Sequence, residues 1–248
     1  VVETGLMSGS KGRRSIGITL NEEHCHVIGI RMTRSAFYLC LAGLSGKPHR
    51  IQEYPIAPGE PVQITLPRIR RAVEETLAEA DSKIAAACMA MPGPYHEDRD
   101  CLFFVTELAG WQNYPIRATL TEGLELPFLI VNDANASAFA QLWYHGQEPA
   151  TQNMLYVLAG QGVGCGIISE GHLVVGQRGL AGEFGHNSID FNGLPCECGN
   201  RGCLEKYCST LALRNRIRNR LAVGETSKLR ADALTTEALA HAVAQEDP

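Results

Sequence analysis

The stretch His186-Asn-Ser-Ile-Asp-Phe-Asn-Gly-Leu-Pro-Cys196-Glu197-Cys198-Gly199-Asn200-Arg201-Gly202-Cys203-Leu204-Glu205 sets three cysteines within eight residues, with a histidine separated from the first by nine residues. Three thiolates and an imidazole match a closed tetrahedral zinc site, with His186, Cys196, Cys198 and Cys203 as ligands. Gly199 and Gly202 let the chain fold sharply, so that sulfurs five residues apart can face one ion. Four protein ligands leave no open position for water, so the metal is expected to be structural. The alternative reading is a cluster of reduced thiols without an ion. His186 alone would read as an ordinary packed histidine; the cysteines lift it to a ligand.

Around this loop the chain has 248 residues, 45% hydrophobic and 20% charged, with 25 glycines and 12 prolines. Those proportions exclude a disordered chain, a collagen and a low-complexity filament. The length suits one large domain or two smaller ones. No apolar run approaches the ~20 residues needed to cross a bilayer, and no signal-peptide pattern opens Val1-Val2-Glu3, a start that suggests a fragment or a processed chain. The net charge of −5 argues against a basic nucleic-acid-binding body. The other six cysteines, Cys25, Cys40, Cys88, Cys101, Cys165 and Cys208, are scattered, several inside apolar runs where a thiol behaves as a small hydrophobe. A secreted disulfide framework would be shorter and more regularly spaced, so a reducing cytoplasm is expected.

Residues 1–14 contain Lys11, Arg13 and Arg14 among small polar residues and read as a flexible linker. Ser15–Leu20, Val27–Ile30 and Phe37–Leu41 read as an antiparallel meander with turns near Glu22 and Arg34. Pro67 is expected to open a helix carrying Ile69, Val73, Leu77 and Ala80 on one face. Ile84–Met91 and Phe128–Val131 suit buried strands, the second delivering Asn132-Asp133 at its carboxyl end to a helix. Met154–Leu158, Ile167–Ile168 and Leu173–Val175 read as further strands. Helices are expected from Leu204 onward and over Thr235–Ala244. Hairpins mixed with strand–helix units give an α/β protein, with an amino-terminal lobe over 15–131, a carboxyl-terminal lobe over 132–248 and a cleft between them.

Asn132, Asp133, Glu183, His186 and Glu205 are polar groups expected at loop ends. Carboxylates, an amide and an imidazole converging on one cleft can satisfy several hydroxyls, which is what a sugar offers, and a carboxylate at a strand end can serve as a general base. On spacing alone the alternative stands that Asp133 caps its helix and the glutamates are solvated. Gly160–Gly166 permits close approach to phosphate or simply makes a hairpin turn. Arg13 and Arg14 can reach a DNA groove, or belong to a solvated linker.

Together these residues resemble the ROK family of repressors and sugar kinases. The pattern G-H-x9-C-x-C-G-x-x-G-C-x-E over Gly185–Glu205 is similar to the family's signature, Ala181–His186 to its sugar-contact turn and Asn132-Asp133-Ala134-Asn135 to its catalytic strand end. Met91-Pro92-Gly93-Pro94 and Gly110-Trp111 are similar to its sugar-side loops. The resemblance runs from about Gly5 to the last residue. It implies an actin-like ATPase fold of two lobes, with a sugar held between them by Asn132, Asp133, Glu183, His186, Glu205 and Gly93.

ROK kinases carry Asp-x-Gly-x-Thr after the first strand, and this chain has Arg31-Met32-Thr33-Arg34-Ser35 there. A cation for the acid and a β-branched residue for the glycine should prevent the tight phosphate turn. Gly5-Leu6-Met7 with Gly12-Arg13-Arg14 resembles the join between a helix-turn-helix DNA reader and a sensor body, the reader itself being absent, and the carboxyl end looks short of the family's full second lobe. The expected function is a sugar-sensing transcriptional regulator, a repressor of carbohydrate-utilisation genes. It would bind a sugar or sugar phosphate, with zinc as its only cofactor, a homodimer or higher oligomer as its assembly, and no membrane partner. A sugar kinase using Asp133 as base, or a sugar-binding module with neither activity, are the alternatives.

Overall fold

At the amino end, part of the expected linker is ordered. Strand β1 (Val2–Leu6) pairs antiparallel with β2 (Ile16–Thr19). Val2 and Thr4 are good strand formers, and the polar, basic run that follows masks them in the sequence. The computed structural model describes residues 2–6, 16–21, 23–105, 108, 110–146 and 148–247, so Lys11, Arg13 and Arg14 lie outside the described residues.

The strands expected to extend this ribbon into a meander instead start a separate sheet. Strands β3 (Cys25–Met32), β4 (Ala36–Gly43), β5 (Pro48–Pro55), β6 (Lys83–Met91) and β9 (Phe128–Asn132) lie in the order β5-β4-β3-β6-β9, with β7 (Tyr95–His96) and β8 (Cys101–Leu102) forming a small hairpin beside them in sequence. The β3–β4 and β4–β5 pairs are antiparallel, whereas β3–β6 and β6–β9 are parallel. Strand alternation puts Ile28, Ile30, Met32, Phe37, Leu39, Met89, Met91 and Ile130 on one face, where they share a core with Leu66, Ile69 and Val73 of helix α1 (Val62–Glu79) and with Ile116 and Leu120 of α2 (Ile116–Thr121).

Pro67 does not open α1; it lies inside it. The first turn is secured upstream, where the Pro61 carbonyl accepts from the N–H groups of Ile64 and Thr65, and burial of Val62, Thr65 and Leu66 outweighs the donor that Pro67 lacks.

The chain divides into two compact units, Val1–Ala136 with Gly176–Gly179, and Ser137–Val175 with Leu180–Pro248. The division falls inside helix α3 (Asp133–His145), a few residues beyond the expected boundary, so Asn132 and Asp133 belong to the first unit.

In the second unit β10 (Met154–Ala159), β11 (Val163–Ser169) and β12 (His172–Leu173) form an antiparallel three-stranded sheet. The helix expected from Leu204 is two: α4 (Glu205–Cys208) and α5 (Thr210–Ala222), broken at Ser209. Ser209 is extended, and its hydroxyl accepts from the Ala212 N–H, capping α5. Helix α6 (Thr236–Ala244) follows, capped by Thr235 in the same way. Among the described residues no helix is long and apolar enough to cross a membrane. All nine cysteines are free thiols.

Candidate metal centre and ligand-binding loops

The parallel pair β6–β9 ends with Met91 opposite Asn132, which places both following loops at the same sheet end. Asn132 joins them. Its Oδ1 accepts from the N–H groups of Ala134 (2.9 Å) and Asn135 (3.2 Å), and its Nδ2 donates to the Gly93 carbonyl at 3.2 Å. Gly93 has a φ of 87°, and a Cβ there would stand 2.7 Å from the Phe104 carbonyl oxygen, so only glycine fits this loop without movement.

Asn132 therefore performs the capping that sequence spacing offered to Asp133, because Asp133 is already the first helical residue. Asp133 Oδ1 accepts from the Ala134 N–H at 2.9 Å. Burial pushes its carboxyl above the ordinary range; the Ala134 N–H and the positive charges of Arg34 and Arg31 pull the other way and do not cancel it. Trp111, assigned to a sugar-side loop by resemblance, is fully buried in the core of the first unit.

Those arginines flank the β3–β4 turn. There Thr33 Oγ1 accepts from the Ala36 N–H at 3.0 Å and donates to the Ala36 carbonyl at 2.8 Å, while the Thr33 N–H bonds the same carbonyl at 2.9 Å. The turn is thus closed on its own backbone by a threonine hydroxyl. Sequence reading noticed that glycine was missing here but not what the threonine does instead; Thr three residues before a hairpin alanine is too common a pattern to flag it.

In the second unit, one ligand atom each from His186, Cys196, Cys198 and Cys203 lies within 4.8 Å of all the others. Cys198 Sγ and Cys203 Sγ are 3.6 Å apart, and Cys196 Sγ is 3.5 Å from His186 Nδ1. Ligands at about 2.3 Å from a tetrahedral ion stand slightly under 4 Å from one another, so the donor set and its spacing fit zinc. Nδ1 is the nitrogen on the sulfur side, while Nε2 lies 3.9 Å from Glu183 Oε2. Burial lowers the His186 pKa, which keeps the imidazole in the neutral form that ligates, and it pushes the Cys203 thiol up to about 12. Three sulfurs this close resist ionising together, which a divalent cation would relieve.

The loop is pinned from several sides. Ile189 N–H bonds the Gly202 carbonyl (2.8 Å), Gly202 N–H the Leu194 carbonyl (2.7 Å), and Leu194 N–H the Tyr207 hydroxyl (3.2 Å). Glu183 and His186 sit on a short 3-10 turn packed directly on β11, with the Gly182 carbonyl accepting from the Cys165 N–H at 3.0 Å. Glu205 Oε2 accepts from the Val163 N–H at 2.9 Å in a buried position, and the Thr210 N–H donates to Gly160 at 2.9 Å. Gly160–Gly162 make the β10–β11 hairpin turn, with Val163 and Gly164 already in β11, and the helices leaving the metal loop hold it. Sequence reading placed Glu205 in the cleft and missed this clasp. The structure thus gathers Gly93, Asn132 and Asp133 in one unit, and Glu183, His186 and Glu205 around the metal centre of the other.

Comparisons with known proteins bear on the fold and the family. The xylose repressor of Caldicellulosiruptor bescii is 30% identical over 227 residues, covering 90% of this chain and 56% of the relative. The N-acetylglucosamine repressor of Escherichia coli is 27% identical over 251 residues, covering 100% of this chain and 61% of the relative. The chain thus spans just over half the length of the curated relatives it matches. Among solved structures, a ROK family transcriptional regulator described as a homolog of the E. coli MLC protein superposes with a TM-score of 0.72 at 26% identity, over 94% of this chain and 59% of that one. A ROK family glucokinase from Streptomyces griseus, in complex with glucose and AMPPNP, superposes with a TM-score of 0.73 at 23% identity, over 90% and 72%. The mixed α/β fold is therefore the one shared by the sugar kinases and actin-like ATPases, as the motifs implied. With residues 27–247 matching the family's sequence profile, the chain belongs to the ROK family.

Proposed function

We propose that this chain is the effector-sensing body of a sugar-responsive transcriptional repressor, and that it does not transfer phosphate. The observation that carries the reading is the β3–β4 turn: where a kinase of the family needs an open backbone cradle, Thr33 bonds the hairpin shut and Arg31 and Arg34 flank it. The relatives named xylose repressor and N-acetylglucosamine repressor support it.

In this reading Asn132, Asp133, Glu183, His186, Glu205 and Gly93 serve one sugar or sugar phosphate. Asp133 accepts from a hydroxyl, and Asn132 keeps one amide hydrogen beyond the one it gives Gly93. His186 presents Nε2 to the ligand side while Nδ1 ligates zinc through the set with Cys196, Cys198 and Cys203. The ion supplies structural cross-linking and takes no part in bond making. The ligand acts by favouring one conformation of the protein over another, to the extent of its differential affinity. DNA contact falls to a helix-turn-helix segment of the full-length protein, with Arg13 and Arg14 at its join, in a homodimer or higher oligomer located in the cytoplasm.

A sugar kinase is the competing reading, favoured by the intact Asn132-Asp133 strand end and by the likeness in fold to the glucokinase. A coupled assay with hexoses, xylose or N-acetylhexosamines and Mg-ATP separates them. No turnover is expected, together with a rise in Tm for one of those sugars or its phosphate. Turnover abolished by Asp133→Asn would establish the kinase instead.

A further inference from the structure

The residue between the first two metal-ligating cysteines is an acid, and the residue after Glu205 is a base: Glu197 and Lys206. The fold brings them together across the loop. Lys206 Nζ stands 2.7 Å from Glu197 Oε1 and 2.5 Å from Oε2. Glu197 Oε2 in turn lies 3.8 Å from Cys196 Sγ. The Lys206 side chain is 20% exposed and that of Glu197 48%, so the lysine is the sheltered partner of the pair; its backbone N–H bonds the carbonyl of the ligand Cys203 at 2.9 Å.

The charges explain why a cation belongs there. A divalent ion with three thiolates and a neutral imidazole carries a net −1, in a loop where Cys196 and Cys203 are buried. Glu197 and Glu205 add negative charge beside it. Lys206 is a cation tied to this cluster on two sides, through Glu197 beside Cys196 and through its own N–H on the Cys203 carbonyl. Buried charge of one sign is costly unless an opposite charge is fixed close by.

We propose that Lys206 is a positioning residue of the metal centre, compensating the negative charge of the three-thiolate set, with Glu197 as the strut that holds its ammonium at the loop. The proposal rests on the zinc reading of the His186–Cys203 cluster, and its test separates the two. Wild type, Lys206→Met, Lys206→Arg and Glu197→Gln are loaded with zinc and titrated against a chromophoric chelator at fixed pH, and each is also melted in the metal-free state. Lys206→Met is expected to weaken zinc binding by about 10- to 100-fold, the usual cost of losing an outer-shell partner. Lys206→Arg restores it to within about threefold, and Glu197→Gln, which leaves the cation free to face the sulfurs, weakens it less than Lys206→Met. Metal-free melting temperatures stay alike across the set. Lys206→Gln replaces Lys206→Met should the latter not fold. Binding by Lys206→Met within threefold of wild type overturns the proposal, as does an equal loss in Glu197→Gln, which would reduce the pair to a brace on the loop. A wild-type chain that takes up no zinc overturns the metal reading itself.

Discussion

Asp133 sets stability against the binding role proposed for it. Burial raises its folded-state pKa above the ordinary 3.8, so the folded chain holds that proton more readily than the unfolded chain. The stability this confers is fully present below the ordinary value and is lost as pH rises through the raised one; at pH 7 the ionised carboxylate is a liability. Asp133→Asn is therefore expected to raise Tm at pH 7, with the gain shrinking in acid as wild-type Asp133 becomes protonated. The same variant should bind the sugar at least about tenfold more weakly, having lost a charged acceptor, which isothermal calorimetry would read. Gly182 offers a purely steric counterpart. Its φ is 84°, and a Cβ would lie 1.8 Å from the Cys165 carbonyl oxygen. Gly182→Ala forces the Glu183–His186 turn off β11 and should cost more than about 3 kcal/mol in a denaturant titration.

At the level of elements, the sequence disclosed periodicity well and punctuation poorly. Strands β3, β4, β6, β9 and β10 were legible because apolar runs and alternation are local signals. Strand β5 was not, since Pro48, His49, Arg50 and Glu53 hide an edge strand with one half-buried face. Pro67 misled because the burial that starts α1 five residues earlier is a tertiary fact. Ser209 was overlooked inside a helical pattern, yet its hydroxyl sets where α5 begins. Ser209→Ala should destabilise by about 1 kcal/mol in a thermal melt, and Ser209→Asp, although a competent cap at an exposed helix start, should also destabilise because Ser209 is buried. The ligand set was readable residue by residue because cysteine spacing is unambiguous; the Glu205–Val163 bond was not, because the two residues are 42 positions apart and no pattern marks the acceptor.

For the molecule as a whole, the division into two compact units, with the large apolar core in the first, predicts separable responses. Among the described residues the His/Cys cluster that could hold a metal lies in the second, and it is tied by Glu205 and Thr210 to the β10–β11 turn. Chelation followed by hydrogen–deuterium exchange should therefore expose Gly160–Gly166 and Phe184–Cys208 while the five-stranded sheet keeps its protection. Equal loss in both units would contradict this independence. The turn at Thr33 bears on phosphate transfer as well. Reversing Arg31 to aspartate alone would leave the hydroxyl latch in place, and replacing Thr33 by glycine alone would leave two cations beside Asp133. Each single substitution is expected to yield no phosphotransfer in the coupled assay, because either one alone leaves half of the obstruction standing: the hairpin behaves as a double lock.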